Sequence, residues 1–159
     1  MSALQIVRNQ VPDFEMIFIG GGVESELIRK ASHQFPWIHY LGPKFDRKKI
    51  PYYAISKLFL MPSSVGLGIL DTFALETPLV TMEGPLHGPE IDYLKHGVNG
   101  FMVEQSDSPQ KYAEAVVHLL RNESERQCLI QGCRREREVY TVENMVDHFM
   151  QGVELALEK

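Results

Sequence analysis

Short apolar runs alternate with amphipathic stretches along this chain of 159 residues. The runs are bounded by glycine, proline or polar residues and are too short for buried helices, so they indicate buried strands. We predict five strands, at residues 16–19, 37–41, 58–61, 79–81 and 101–103. Helical patterns connect most of them, and this alternation is typical of a parallel sheet.

Helical spacing of the apolar positions predicts the remaining elements. Helices are expected at residues 3–9, 23–35, 51–56, 68–75, from 109 onward, 123–140 and 142–157, with a brief helical turn at 90–95. Ser108 and Pro109 are suited to the N-cap and the first helical position. The predicted fold is therefore a doubly wound α/β sheet with about five parallel strands and helices on both faces.

The composition is that of one globular domain. Hydrophobic residues make up 44% of the chain and charged residues 23%, which is typical of soluble proteins. The net charge of −5 argues against nucleic acid or an anionic membrane as a partner. Because the sequence has neither a membrane-length apolar run nor a signal-peptide core, we expect a cytoplasmic protein.

Metal and disulfide chemistry are not expected. The only two cysteines, Cys128 and Cys133, fall in one predicted helix, with no histidine or second cysteine pair at a metal-ligand spacing. We predict two reduced thiols. The six histidines are scattered, and His118 lies in an apolar helical pattern that favours a structural role.

Four turns are predicted at one edge of the sheet. They lie at residues 20–22, 42–46, 63–68 and 82–89, each after a predicted strand. In doubly wound sheets, ligands bind at the carboxyl ends of the strands, where the strand order reverses. The four turns should therefore face one crevice.

The turn at residues 63–68 has the composition of an anion site. Its small residues let backbone N–H groups approach a ligand, and the helix that follows directs a positive dipole end at the same place. Asp71 comes within the first helical turn and could hydrogen-bond hydroxyls attached to a bound phosphate, or only stabilise its own helix N-terminus. We predict a phosphate-containing ligand here.

Two common nucleotide motifs are missing. A dinucleotide fingerprint counted from Gly20 needs glycine where Ser25 stands, and no P-loop lysine motif occurs. These absences argue against an NAD-dependent dehydrogenase and a P-loop NTPase. Gly21 and Gly22 could contact a ligand or serve only a tight turn. In the nearby basic cluster, Lys44 is the candidate for nucleotide contact, and the other cations are expected on a solvated surface.

Four stretches taken together resemble a known family. In chain order they read FIGGG, IHYLGPKFDRKKIPYYA, PSSVGLGILDTFALETPLVT and HGPEIDYLKHGVNGFMV. The combination resembles the C-terminal, donor-binding half of family-4 retaining glycosyltransferases of the GT-B type, from about Ala3 to Asn122. The resemblance implies a Rossmann-like domain that holds a nucleotide-sugar and faces a separate N-terminal acceptor domain across a cleft.

The resemblance also implies site residues. The family's signature is a Glu, seven residues and a second Glu, which align with Ser63 and Asp71. In the family the first Glu contacts the transferred sugar, the amides of the turn bind the diphosphate, and the second Glu hydrogen-bonds the ribose. The candidate donor-binding residues are Gly21, Gly22, Lys44, Ser63, Ser64, Val65, Gly66, Leu67 and Asp71. No residue is assigned as catalytic, and no metal or cofactor is expected.

The chain departs from the family pattern at three places. Ser63 replaces the first Glu, and Glu76 stands where the family has a helix-ending glycine; a left-handed Glu76 would cost about 1–2 kcal/mol. The family's first strand, with its Gly-Arg and a following Lys, has no counterpart in this sequence. Without that central strand, we expect the neighbours to close the gap, a second chain to supply a strand, or a full-length protein to supply it. The prediction is self-association or a distorted sheet.

The sequence therefore predicts that residues 1–159 form a single nucleotide-sugar-binding domain, a fragment of a two-domain enzyme. Its partners would be a UDP- or GDP-sugar and the acceptor domain, at the inner face of the membrane if the full-length protein associates with one. The transferase would move a hexosyl group to a glycan or a lipid-linked acceptor. The alternative is a degenerate, non-catalytic module with the same fold.

Overall fold

Parallel strands and helices alternate through the protein, as the sequence predicts. The computed structural model describes residues 1–104 and 108–158. The strands are β1 (Met16–Phe18), β2 (Ile38–Tyr40), β3 (Phe59–Leu60), β4 (Leu79–Met82) and β5 (Gly100–Val103). The helices are α1 (Ser2–Gln10), α2 (Ser25–Gln34), α3 (Ile50–Ile55), α4 (Gly68–Ala74), α5 (Pro109–Arg121), α6 (Glu123–Val139) and α7 (Val142–Leu157). The predicted α/β class is confirmed.

The apolar core lies on both faces of the sheet. Successive side chains of a strand point to opposite faces, and β4 shows this directly. Val80 packs in a cluster with residues of α1 and α5, whereas Leu79 packs in a second cluster with residues of α4 and α6. Both side chains are almost fully buried, so helices cover β4 from the two sides, as predicted.

Side-chain caps begin the long C-terminal helices. The Ser108 hydroxyl accepts a hydrogen bond from the backbone N–H of Gln110, with Pro109 in the first turn. Asn122 caps α6 and Thr141 caps α7 in the same way. Each cap supplies a partner to a backbone N–H that the helix itself leaves unpaired. The Ser108-Pro109 prediction is confirmed.

The strands fall into two separate sheets. β1 pairs only with β2, and β3, β4 and β5 pair in that order, all in parallel. In the described part of the chain no strand hydrogen bond joins β1 to β3. A regular sheet is therefore not formed, and the expected distortion is observed. Self-association, the other half of that expectation, stays a prediction.

Candidate functional site

A cavity of about 1100 Å³ runs along β1 and β3, from residues 10–15 and 55–58 before these strands to the turns at the carboxyl ends of β1 and β2. Its wall brings together Gly20 and Gly21 from the turn after β1, Lys44 from the turn after β2, and Lys49 and Asp71 from the helical segments that follow the second and third predicted turns. Two of the four predicted turns therefore share the cavity, whereas residues 63–68 and 82–89 do not line it. Of the candidate donor-binding residues, Gly21, Lys44 and Asp71 lie in its wall. The other candidates do not line this cavity; they are Gly22, Ser63, Ser64, Val65, Gly66 and Leu67.

The turn after β1 contains glycines because its backbone adopts conformations that other residues rarely reach. Gly20 and Gly22 have φ values of 143° and 137°, in a region that residues with a side chain rarely adopt. The Gly20 N–H donates to Gly42 O at 3.1 Å, and the Tyr40 hydroxyl donates to Gly20 O at 3.1 Å. The turns after β1 and β2 are therefore fastened to one another. Both Gly21 and Gly22 are exposed, and of the two only Gly21 lines the cavity.

Lys44 lies at the cavity but folds back onto its own turn. Its Nζ donates to the backbone carbonyl of Leu41, three residues earlier. The side chain is half-buried. A bound anion would have to compete with that carbonyl for the ammonium group, or share it, because an ammonium has three donors.

The turn after β3 is held down by the loop that follows β4. The Val65 N–H donates to Nδ1 of His87 at 3.2 Å, and the Val65 carbonyl accepts from the Gly88 N–H at 2.8 Å. The other ring nitrogen of His87, Nε2, lies 2.7 Å from Met82 O. The ring therefore accepts at Nδ1 and donates from Nε2, which requires the neutral imidazole.

These hydrogen bonds remove the Val65 N–H from the donors that are available to a ligand. Its side chain is 1% exposed, and both of its backbone polar groups already have partners within the fold. The family resemblance implies that the amides of Val65, Gly66 and Leu67 bind the diphosphate. The structure shows instead that Val65 anchors the turn, because His87 has taken its N–H.

The amides that follow Val65 are differently placed. The carbonyls of Gly66 and Leu67 accept from the N–H groups of Ile69 and Leu70, which begins α4. The N–H groups of Gly66, Leu67 and Gly68 come before the first such bond, and in the described residues no backbone partner is found for them. The Leu67 side chain is 67% exposed, so this end of α4 faces solvent. Ser63 and Ser64 are exposed at the start of the same turn.

Asp71 forms an ion pair with Lys49 at the cavity wall. Lys49 Nζ lies 2.5 Å from Asp71 Oδ2, and the two side chains are 28% and 33% exposed. Because the pair is partly buried, solvent and salt weaken its attraction less than they would weaken that of a fully exposed pair. Lys49 therefore belongs to the site. Sequence reasoning assigned it to a solvated surface, and no local pattern could have revealed a partner 22 residues away.

Tyr53 lines the same cavity and is influenced by the charge of Asp71. Burial, and then the negative charge of Asp71, raise the pKa of Tyr53 to about 12. Its ring stacks on Phe59 of β3 with centroids 5.3 Å apart. The phenol is therefore protonated at neutral pH, and it can donate a hydrogen bond into the cavity that it lines.

Metal and membrane chemistry find no support in the described residues. Among residues 1–104 and 108–158, no three His, Cys, Asp or Glu side chains come together as metal ligands would. In the same residues no helix has both the length and the apolar character needed to cross a bilayer.

Comparison with known proteins places these observations in a family. A family model described as "Glycosyl transferases group 1" matches residues 1–122. A search of curated protein sequences finds no match. Several solved structures share the fold.

The pneumococcal O-GlcNAc transferase GtfA, solved with UDP and GlcNAc, is similar at 20% identity with a TM-score of 0.80, over 99% of this chain and 32% of that one. Anabaena Alr3699/HepE, solved with UDP and glucose, is similar at 15% identity and a TM-score of 0.70, over 94% of this chain and 44% of that one. WaaG, a glycosyltransferase involved in lipopolysaccharide biosynthesis, is similar at 14% identity and a TM-score of 0.70, over 89% of this chain and 39% of its own. The chain thus spans less than half the length of each of these structures.

Proposed function

Because this chain belongs to the group 1 glycosyltransferases, we propose that it is the donor-binding domain of a retaining enzyme. The enzyme would transfer a hexosyl group from a UDP- or GDP-sugar to a glycan or a lipid-linked acceptor, with an N-terminal domain supplying the acceptor site. The observation that carries this proposal is the shared cavity wall of Gly21, Lys44, Lys49 and Asp71 at the carboxyl ends of the strands. Related structures with UDP bound support the choice of ligand.

The diphosphate would bind at the start of α4. The amides of Gly66, Leu67 and Gly68 are the donors that the fold leaves open there, one position later than the sequence indicates. As the sugar leaves, negative charge grows on the diphosphate, and fixed N–H donors stabilise that charge without reorganising. No metal is needed for this step. The acceptor hydroxyl would attack from the face that the leaving group vacates, which retains the configuration.

Asp71 and Lys49 would bind the rest of the nucleotide. Lys49 engages Oδ2 of Asp71, so Oδ1 can accept a hydrogen bond from a ribose hydroxyl. The Lys49 ammonium would hold the carboxylate in place and neutralise its negative charge beside the diphosphate. The pair therefore positions the ribose and favours an anionic ligand at the same time.

A proline substitution tests whether the backbone amides at the start of α4 bind the diphosphate. Leu67 has a φ of −54°, which proline adopts without strain, and its N–H has no backbone partner in the described residues. Leu67→Pro should therefore leave the fold intact and remove one donor. A hydrogen bond to a charged group contributes about 1.5–3 kcal/mol, so we expect calorimetry to show UDP or GDP affinity falling by about tenfold or more.

Leu67→Ala is the matched control, because it keeps the amide and shortens the same exposed side chain. It should bind the nucleotide as the wild type does. If both variants bind the nucleotide equally well, the Leu67 amide does not contact the diphosphate. Asp71→Ala should also lower affinity, whereas Asp147→Asn, on exposed α7, should not.

A non-catalytic module remains the second candidate. Ser63 stands in place of the sugar-contacting Glu, and the Val65 amide is taken by His87; both observations favour weaker donor binding. Titration with UDP, GDP and ADP separates the two candidates. A clear preference for one base supports the donor domain, and millimolar or absent binding of all three supports the module. In either case we expect the 159-residue protein alone to show no sugar transfer.

A further inference from the structure

The turn between β3 and α4 has little that holds its shape from within. Ser64 has a φ of 55°, in the left-handed region that a residue with a side chain occupies only at a cost. Gly66 and Gly68 follow, and glycine loses the most conformational freedom when a fold orders it. The Leu67 side chain between them is 67% exposed. A strained turn of this kind persists where the surrounding structure fixes it.

Val65 is the residue at which the fold fixes this turn. Its N–H donates to His87 Nδ1 at 3.2 Å, and its carbonyl accepts from the Gly88 N–H at 2.8 Å. Its side chain packs in one cluster with Ile69 and Phe73 of α4. Val65 therefore joins the start of α4 to the loop that follows β4.

His87 is in turn attached to the most buried strand of its sheet. Nε2 of the ring lies 2.7 Å from the carbonyl oxygen of Met82, the last residue of β4, and the other three residues of that strand are buried. The Met82 N–H donates to Pro62 O at 3.3 Å, at the beginning of the turn. The imidazole thus spans from the end of β4 to Val65, and it sets the distance between them.

Loss of the ring would not give the Val65 N–H to a ligand, because this residue is 1% exposed. The amides that a fixed Val65 can influence are those of Gly66, Leu67 and Gly68, which have no backbone partner in the described part of the chain. Donors that are already in position bind an anion without the entropic cost of ordering them. If the turn is correctly formed only part of the time, the apparent affinity falls by that fraction.

We propose that His87 is a positioning residue for donor binding. Acting through Val65, it fixes the turn whose next three amides would receive the diphosphate. This inference rests on the proposed function, because it assigns His87 a part in that same site. Nucleotide affinity should therefore depend on a hydrogen-bond acceptor at position 87, and an aromatic ring is not required.

Two substitutions of nearly equal size separate the acceptor from the bulk of the side chain. His87→Asn places a carbonyl oxygen where Nδ1 lies, whereas His87→Leu has a similar shape and no acceptor. Both lose the bond to Met82 O, so that bond does not distinguish them. Calorimetry should show His87→Leu binding UDP or GDP about fivefold to tenfold more weakly than the wild type. His87→Asn should stay within about twofold of the wild type, because the bond from Val65 is kept.

Hydrogen exchange without nucleotide tests the same step on the protein alone. The N–H groups of Ile69 and Leu70 donate to the carbonyls of Gly66 and Leu67, so their exchange reports whether the turn is formed. In His87→Leu it should be faster by about fivefold or more than in His87→Asn, with the amides of α5 unchanged. Should His87→Leu fail to fold, His87→Ala replaces it, with loss of affinity and faster exchange again expected.

The outcomes distinguish this inference from the proposed function. If the wild type binds none of UDP, GDP and ADP, the proposed function fails and the role of His87 fails with it. If the wild type binds and His87→Leu binds equally well, only the role of His87 is overturned, even where the thermal midpoint falls. Equal weakening of His87→Asn and His87→Leu would also overturn it. So would tighter binding by His87→Leu, since His87 would then withhold the Val65 N–H from the ligand.

Discussion

Glu76 shows how a single residue can hold an unfavourable backbone conformation. It follows α4 with a φ of 56°, in the left-handed region, at a position where many helices end with glycine. Its carboxylate lies 2.7 Å from Arg134 Nε and 2.8 Å from Arg137 Nη1, both on α6. The ion pairs attach α6 to the end of α4, and they offset the strain of about 1–2 kcal/mol that a side chain incurs there.

Two substitutions separate the strain from the ion pairs. Glu76→Ala keeps the strain and loses both pairs, each worth about 0.2–1 kcal/mol when partly exposed, so its free energy of unfolding in urea should fall. Glu76→Gly loses the same pairs but relieves the strain, so it should be closer to the wild type. An equal loss in the two variants would show that the positive φ costs nothing.

The two cysteines, both free thiols, should differ sharply in reactivity. Cys128 is exposed, whereas Cys133 is fully buried and its Sγ donates to Asn99 O at 3.2 Å. Burial raises the pKa of Cys133 from its ordinary value of 9.0 to about 12. Because the thiolate is the reactive form, a disulfide reagent at pH 8 should label one thiol in the folded protein and two in urea. Rapid labelling of Cys133 in the folded Cys128→Ser variant would contradict the burial.

The same pKa shift has a sign that alkaline unfolding can test. Between pH 9 and about 12 the thiol of the unfolded chain loses its proton while the buried Cys133 keeps it, so the unfolded state is favoured as the pH rises. The contribution of Cys133 to stability is therefore complete below pH 9 and is lost as the pH rises through about 12. Urea midpoints measured from pH 8 to 10.5 should fall less steeply in Cys133→Ala than in the wild type.

At the scale of elements, the contact of α6 with the loop before β5 depends on Gly132. A Cβ at this position would lie 1.7 Å from Val98 O and 2.9 Å from the Asn99 Cα. Asn99 is itself fixed, since its side chain accepts from the Lys95 N–H at 2.7 Å and donates to Tyr93 O at 2.9 Å. The loop cannot move away without breaking these bonds, so only glycine fits.

Gly132 and Gly152 form a matched pair for testing this contact. Both lie inside helices, where alanine is favoured over glycine by about 1 kcal/mol. Gly152→Ala meets nothing within 4 Å and should raise the thermal midpoint slightly. Gly132→Ala should instead lose about 1–3 kcal/mol of stability through overpacking. If both substitutions stabilise the protein, α6 does not pack as closely as described.

At the scale of the whole molecule, α7 stands apart from the core. None of its residues is buried, and its large exposed side chains include Val142, Met145, Phe149 and Leu157. Because buried apolar area is the main source of stability, α7 contributes little to the fold of this chain.

Truncation measures that contribution. A protein ending at Thr141 should unfold within about 1 kcal/mol of the full chain, since the removed surface is not part of the core. A protein ending at Asn122 should fail to fold cooperatively, because it also loses Leu129 and Cys133, which are fully buried. Circular dichroism during thermal unfolding compares the two. A large loss from the first truncation would place α7 against the core in solution.

The order and type of the elements could be predicted from the sequence, because strand and helix patterns are local. Apolar runs and N-caps such as Ser108 mark each element within a few residues. The position of the crevice could also be predicted, since the carboxyl ends of parallel strands lie at one edge of a sheet. Asp71 and Gly21, two candidates from the sequence, both line the cavity.

Only the tertiary structure decided which backbone and side-chain groups are open at that edge. The Val65 amide is closed by His87, and Asp71 is paired with Lys49; each partner is 22 residues away in the chain. The division of the strands into two sheets likewise depends on how β1 and β3 lie relative to each other in the folded protein. A sequence pattern reports what each segment prefers by itself. Which donor meets which acceptor depends on all segments competing for partners once they are folded together.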